Sequence, residues 1–431
     1  MSKINGKTAH QISDCVRALV LKGELKPGDS LPSVRDLANE LEVNRNTVAS
    51  SYQRLVKMGI AQTYGRHGTC ISQPPQAGEQ EGMDRNTALI DLADGNPNPE
   101  WLPAPARLIP SGGTRSYLYG DETVLPELRQ FGIDWLGPEC LPGWEMELTH
   151  GAVDAIERLA WAHLVAGDMV AIESPCFLGT INALRLAGMN TVAVELDEYG
   201  MLPGSLDAAL RAGARAVFIT PRAQNPTGCS LSAERARDLQ RVLAGHPTVL
   251  VVVDDHFGLL EESPYYSAIP DNHSCWALIR SVSKGLGPDM RLAFVGSDAV
   301  TMERLRTRLS SGMNWVSHIL QAMAFEGLSS AYSRSKMAEA REGYALRRAE
   351  LHSELATLGI SAPCPSGGFN IWIPLTRSAR DVAYELAKRG WLVRVGTGFD
   401  VHGVTQAIRV TISQITDGQA KRFARDLKAC L

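Results

Sequence analysis

One lysine, Lys284, lies in the run RSVSKGLGPDMR (280–291), three residues after Ser281 and seven before Arg291. The apolar run CWALI just before it reads as a strand. A lysine amine that condenses with an aldehyde must sit beside groups that fix the rest of that ligand. A hydroxyl supplies a neutral donor and a guanidinium a bidentate one, a pair suited to a phosphate. A surface lysine between serine and glycine is also commonplace, so the stretch gains meaning only from partners elsewhere.

Candidate partners follow one another along the chain. LTHGAVDAIERL places Gly151, Ala152 and Val153 at a helix start, where free backbone amides suit a phosphate. ESPCFLGT puts Phe177 just past a strand, placed to stack on a flat ring. TPRAQNPTGCS offers the Asn225 amide, a donor for a phenolate oxygen on such a ring. VVVDDHF ends an apolar strand with Asp254 and Asp255, and a carboxylate there suits a protonated pyridine nitrogen. AIRVTIS carries Arg409 inside an apolar strand, where a guanidinium needs a carboxylate partner. Each has a plainer reading: a turn, a strand end, core packing, a structural ion pair. Their joint placement at strand ends argues for one site.

The elements that must position these residues are strands alternating with helices from Ile90 onward. VAIE (170–173), AVFIT (216–220), VLVVVDD (249–255), ALIRSV (277–282) and LAFVGS (292–297) read as strands. Helices are expected after Ala152, Thr180 and Ser232. Continuous apolar strands with crossover helices predict an α/β body with a largely parallel sheet, whose ligands collect at the carboxyl ends of strands.

The first 72 residues read differently. Ile12, Val16, Leu19 and Val20 give one helical face, Ser33 caps a second helix and Asn44 a third. Two short helices with a tight connection form a helix-turn-helix, and the third helix presents Arg45, Asn46 and Thr47 at its start. IAQTY and TCIS read as two strands of a wing with Arg66 and His67 at its tip. This head carries ten Lys/Arg against six Asp/Glu, near +4, while the whole chain is −4, so an acidic body carries a basic head that suits phosphate. Residues 73–88, polar and rich in Pro, Gly and Gln, read as a flexible linker. With 431 residues, two or three domains are expected. The eight scattered cysteines predict reduced thiols in a cytoplasmic protein without structural zinc, and no run reaches membrane-spanning length.

The stretch LKPGDSLPSVRDLANELEVNRNTVASSYQRLVKMGIAQTYGRHGT resembles the winged-helix domain of GntR-type regulators. That resemblance implies contacts to a double-stranded DNA operator by Ser33, Arg35, Arg45, Asn46, Thr47, Arg66 and His67. Cys70 departs from the usual aromatic after Gly-Thr, a change expected to touch packing rather than DNA. From about Ile90 to the end, including IDLADGNPNPEWLP and LYGDETVLPELRQF, the chain resembles fold-type-I aminotransferases, which use pyridoxal 5'-phosphate (PLP). The resemblance implies a Schiff base at Lys284, Asp254 at the pyridine nitrogen, Asn225 at the ring hydroxyl and Phe177 stacked on the ring. It assigns the phosphate to Ser281, Ser283, Arg291 and the amides of Ala152 and Val153, with Tyr119 reaching the phosphate of a partner subunit in a homodimer. Arg409 takes the carboxylate of a substrate or effector. One departure stands out: a tyrosine is usual after the aspartates, and here His256 and Phe257 follow. Phe257 cannot donate, and His256 is the candidate substitute.

Head and body together resemble the MocR subfamily of GntR regulators, and within it PtsJ-type regulators linked with vitamin B6 salvage and a pyridoxal kinase gene. The implied architecture is multidomain: an α+β winged helix-turn-helix head (1–72), a linker (73–88), and an α/β aminotransferase-like body (89–431) with a smaller C-terminal subdomain from roughly residue 320. The implied function is a regulator whose body senses PLP or a small amino compound as effector, cytoplasmic and nucleoid-associated when bound to DNA. The missing tyrosine weighs against efficient turnover. The alternatives are an active aminotransferase with an appended DNA-binding head, favoured by Arg409, and a PLP-free regulator, disfavoured by the intact Lys284, Asp254, Asn225 and Arg291.

Overall fold

The computed structural model describes residues 4–63, 68–72, 78–82, 87–113, 115–261 and 263–431, so the proposed wing tip, Arg66 and His67, lies outside the described residues. The chain divides into two compact units, Met1–Ala77 with Val165–Gly167, and Gly78–Leu164 with Asp168–Leu431. Part of the stretch expected to be linker, 78–82, therefore belongs to the body.

In the first unit, α1 (Ala9–Leu21), α2 (Val34–Glu40) and α3 (Arg45–Lys57) precede the strands β1 (Ala61–Thr63) and β2 (Thr69–Ile71). The sequence sets each helix start. The Ser33 hydroxyl accepts from the Asp36 N–H at 3.2 Å, and the Asn44 side-chain oxygen accepts from the Asn46 N–H at 2.8 Å. Each such bond satisfies one amide that the helix leaves without a partner. Ile12, Val16, Leu37, Val48 and Leu55 are fully buried and hold the three helices together. The Tyr52 hydroxyl, on α3, donates to the Pro32 carbonyl at 2.7 Å, tying α3 to the segment before α2. β1 and β2 pair antiparallel, Ala61 opposite Ile71. Cys70 bridges back to Ser30, its sulfur 3.4 Å from the Ser30 hydroxyl, so the departure at Cys70 sits in a packing contact.

The body begins with β3 (Ile90–Asp91), α4 (Pro126–Leu136), β4 (Glu145–Thr149), α5 (Ala152–His163), β5 (Met169–Ser174) and α6 (Leu178–Leu186). It continues through β6 (Asn190–Asp197), β7 (Gly200–Met201), α7 (Pro203–Arg211), β8 (Ala216–Ile219), α8 (Ala233–Ala244), β9 (Leu250–Asp254) and β10 (Trp276–Ser281). Then come α9 (Ser283–Leu286), β11 (Ala293–Ser297), α10 (Ala299–Ser310), α11 (His318–Ser329) and α12 (Ala331–Thr357). The C-terminal part holds β12 (Asn370–Pro374), α13 (Ala379–Lys388), β13 (Trp391–Leu392), β14 (Arg394–Val395), β15 (Ala407–Thr411) and α14 (Gln419–Lys428).

Eight strands form one sheet in the order β4-β11-β10-β9-β8-β5-β6-β7. Pairs among β10, β9, β8, β5 and β6 are parallel, while β11 runs antiparallel to both β10 and β4, and β7 to β6. The sheet is thus mixed, with the expected parallel centre. β9 shows why a continuous apolar run is needed there. Val251 and Val253 enter the core beneath α7 and α8, while Val252, pointing the other way, joins the core with Ile156 and Leu305 of α5 and α10. A three-stranded antiparallel sheet, β12-β15-β14, packs with α12, α13 and α14 around a separate core that includes Tyr344, Ile371, Val410 and Phe423.

Candidate functional site

Lys284 lies on the one-turn helix α9 directly after β10 and is half-buried in the body. Burial pulls its ammonium below the ordinary value, with Arg409 adding to the effect and Glu81, Asp94 and Asp254 opposing it. A depressed lysine pKa favours the neutral amine that attacks a carbonyl. The Lys284 amine donates to the Gly95 carbonyl at 3.3 Å and lies 4.9 Å from the Phe369 ring centre. A small cavity beside it is also lined by Asn225, His256, Phe257 and Phe369.

Asp254 ends β9 on the neighbouring strand, and the two adjacent aspartates differ in their partners. Asp255 is wholly buried and bound by Arg222 (2.7 Å) and Arg280 (2.8 Å), a structural ion cluster. Asp254 Oδ1 is buried without a hydrogen-bond partner. Burial, then Asp255 and Glu173, push the Asp254 carboxyl up to about 7, against the pull of Lys284. An orphaned buried carboxylate oxygen beside Lys284 is what a pyridinium N–H would satisfy.

Asn225 follows β8, and its side-chain oxygen accepts from Arg409 at 3.0 Å. Arg409 projects from β15 with no exposed surface, and also donates to the Ala93 carbonyl at 2.8 Å. Its fork grips both carboxylate oxygens of Glu81, one at 2.7 Å, and Asn225 donates to the same carboxylate at 2.9 Å. Arg409 was expected to take a substrate or effector carboxylate; here the carboxylate in its fork is the chain's own Glu81, from the stretch that reads as linker. Burial raises the Glu81 carboxyl, but Arg409, Asn225 and Lys284 together carry it below its ordinary value.

The phosphate candidates gather at the same, carboxyl end of β10. Gly151, with φ +98°, precedes α5, and a side chain there would collide with the Arg291 guanidinium at 2.9 Å. Arg291 itself donates to the His150 carbonyl at 3.0 Å, and the Ser281 and Ser283 hydroxyls lie 3.0 Å apart. Ala152 and Val153 open α5, so their amides face outward from the helix start. Phe177 stands at the start of α6, packed with Val153 around Gly179. Backbone amides, two hydroxyls and a guanidinium form a cradle that fits a phosphate monoester. Tyr119 stands apart: it is 93 % exposed and touches Trp315 edge-on at 5.7 Å.

His256 lines the cavity with Lys284, and burial followed by Lys284 pulls its imidazole down to about 4. It is neutral at physiological pH, with one ring N–H to donate. Phe257 is buried against Phe369 at 5.5 Å, its place taken up by packing. Sequence reasoning missed several participants. Glu173, at the end of β5, accepts from the Thr220 N–H at 2.8 Å and the Gln224 amide at 3.1 Å, and burial lifts it to about 7. Arg394 of β14 lies opposite Arg409 of β15 and binds Glu79 at 3.1 Å. A buried glutamate in VAIES was visible as an anomaly; Glu79 and Glu81 carried no signal.

In the head, Ser33 and Arg35 at the start of α2, and Arg45 and Asn46 at the start of α3, are exposed on one helix-turn-helix, with Thr47 half-buried. Among the described residues no helix is long and apolar enough to cross a membrane.

Comparisons with known proteins agree with both halves. Residues 88–427 match Aminotransferase class I and II, and residues 8–71 match Bacterial regulatory proteins, gntR family. The chain is 47 % identical over 428 residues to the Vitamin B6 salvage pathway transcriptional repressor PtsJ of Salmonella typhimurium, covering 99 % of each. It is 26 % identical to the probable rhizopine catabolism regulatory protein MocR of Rhizobium meliloti, over 78 % of this chain and 75 % of that one. Among solved structures, the kynurenine aminotransferase of Pyrococcus horikoshii superposes with a TM-score of 0.72 at 22 % identity, covering 80 % of this chain and 91 % of that one, a likeness of fold. With a gntR-family head, a class I and II aminotransferase body and 47 % identity over nearly its full length to such a regulator, the chain belongs to the MocR-type transcription regulators.

Proposed function

We propose that this protein is a PLP-responsive repressor of vitamin B6 salvage genes, acting in the cytoplasm as a homodimer on an operator beside a pyridoxal kinase gene. The observation that carries the reading is the orphaned Asp254 oxygen on the strand next to a half-buried Lys284 whose pKa is depressed. That pair suits a flat nitrogen heterocycle bearing an aldehyde, with the amine for the aldehyde and the carboxylate for the ring nitrogen. Bound PLP supplies an electrophilic aldehyde and a ring that withdraws electrons. Lys284 contributes its neutral amine, Asp254 a carboxylate for the ring nitrogen, and Asn225 an amide for the ring hydroxyl. His256 is the remaining donor at that edge. Ser281, Ser283, Arg291 and the Ala152 and Val153 amides hold the phosphate, Phe177 covers one face of the ring, and Arg409 offers its fork to a carboxylate.

Two features speak for sensing over turnover. Phe257 offers no hydroxyl to the ring. The Arg409 fork is engaged by the chain's own Glu81. The regulation follows from linkage: a ligand shifts the DNA-binding equilibrium only by its differential affinity for two arrangements of the body.

The test is fluorescence anisotropy with a duplex covering the promoter of the pyridoxal kinase gene, titrated with PLP, using wild type and Lys284→Ala. PLP is expected to weaken DNA binding by wild type about tenfold, within the usual range of coupling energies, and to leave Lys284→Ala unaffected. Equal DNA affinity with and without PLP in the wild type would overturn the reading.

A further inference from the structure

The body holds a peptide ligand of its own. Residues 78–82 lie along the body and make a series of specific bonds, most of them to buried polar groups. The Gly78 N–H donates to the Asn182 side-chain oxygen at 3.1 Å, and the Asn182 amide returns a bond to the Glu79 carbonyl at 2.8 Å. Arg394 donates to the Glu79 carboxylate at 3.1 Å and to the Gln80 and Gly82 carbonyls at 2.8 and 3.2 Å. The Gly82 N–H donates to the Asp94 carbonyl at 2.7 Å. Glu81, at the centre, fills the Arg409 fork and the Asn225 amide.

The body is shaped to receive this strap. Arg394 and Arg409 are cross-strand neighbours on β14 and β15, both buried, so two guanidinium groups lie side by side. Two carboxylates spaced by one residue, Glu79 and Glu81, meet them. Gly95 has φ +70°, and a side chain there would collide with the Glu81 carboxylate and lie 2.9 Å from Arg409. At Gly398 a side chain would press on the Glu79 carboxylate at 3.2 Å.

We propose that residues 78–82 are a built-in competitor for the carboxylate site: Glu81 occupies Arg409 until a free carboxylate compound displaces it, which releases the strap that leads to the head. The free ligand is of the amino-acid class, a carboxylate for Arg409 and an amine for the neighbourhood of Lys284, and a second carboxylate would meet Arg394. The proposal rests on the PLP-responsive reading for its purpose, but not for its geometry.

The test uses the PLP-loaded, full-length protein and succinate, a dicarboxylate without an amine. Hydrogen exchange at 78–82 reads the strap, and calorimetry reads succinate affinity. In wild type, saturating succinate should raise exchange at the Gly78 and Gly82 amides. Glu81→Gln should show raised exchange without succinate and bind succinate about tenfold or more tightly, because the apparent Kd no longer carries the cost of displacing the strap. Succinate binding with equal affinity to both proteins, or without any change in exchange at 78–82 in wild type, would overturn the proposal, as would no succinate binding to either. The wild-type exchange arm stands even if Glu81→Gln fails to fold. Strap release with DNA binding indifferent to PLP would sink the regulatory reading alone; PLP-sensitive DNA binding with an immovable strap would sink the competitor alone.

Discussion

Asp254 and Arg409 are opposite cases of a buried charge awaiting a partner. Arg409, wholly buried, is matched by Glu81; removing one member of such a pair leaves an uncompensated charge costing about 3–5 kcal/mol. Asp254 has no cation in direct contact, so burial raises its folded-state pKa to about 7, with Asp255 and Glu173 adding to the shift and Lys284 opposing it. A raised folded pKa means that the contribution to stability is fully present below the ordinary aspartate value, declines as pH rises, and is gone above about 7. Asp254→Asn removes that dependence. In the cofactor-free protein, the stability of Asp254→Asn relative to wild type should therefore improve by about 2 kcal/mol between pH 5.5 and 8, read from paired thermal melts. A constant difference between the two proteins would show that Asp254 is ionised throughout. Arg409 was legible in the sequence because a guanidinium in an apolar strand demands a carboxylate. Glu81, 328 residues away, was not, because a polar run with Pro, Gly and Gln has the composition of a tether whether or not it docks.

At the scale of elements, local rules explain the head well. Capping residues, a short connection and apolar spacing placed all three helices, since each signal acts within a few residues. Asn44→Ala should lower the melting stability of the head by about 1 kcal/mol, and Asn44→Ser, which keeps an accepting oxygen, should recover most of it. Equal losses for both variants would mean that the side-chain oxygen does not hold the start of α3. In the body, the continuous apolar runs announced the central strands, but not that β11 enters antiparallel. Strand direction depends on what the connection does in space, and the β10–β11 link, with α9 and the turn through Arg291 at φ +41°, carries Ser283, Lys284 and Arg291 rather than a crossover helix. The irregularity that escaped sequence reasoning is the one that builds the site.

For the whole molecule, the exposed Tyr119 is the residue that a single chain leaves without a task. Nine-tenths of its surface is open, and its one aromatic neighbour among the described residues is Trp315. If the partner subunit's phosphate group is its target, Tyr119→Phe should weaken PLP binding about tenfold, as loss of a charge-assisted hydrogen bond does, with the melting temperature and the sedimenting dimer unchanged. Unchanged PLP affinity would assign Tyr119 to packing between subunits instead. The docked strap has a consequence for reach. Held at Gly78, the chain beyond Ser72 spans at most about 20 Å before it is fixed; freed back to Ile90, it spans up to about 60 Å. In the proposed homodimer, two heads on one operator would act through their effective concentration at neighbouring half-sites, which falls once the cord exceeds the span between them. A carboxylate on Arg409 would thus loosen the grip on DNA by lengthening a leash, without altering a single contact in either head.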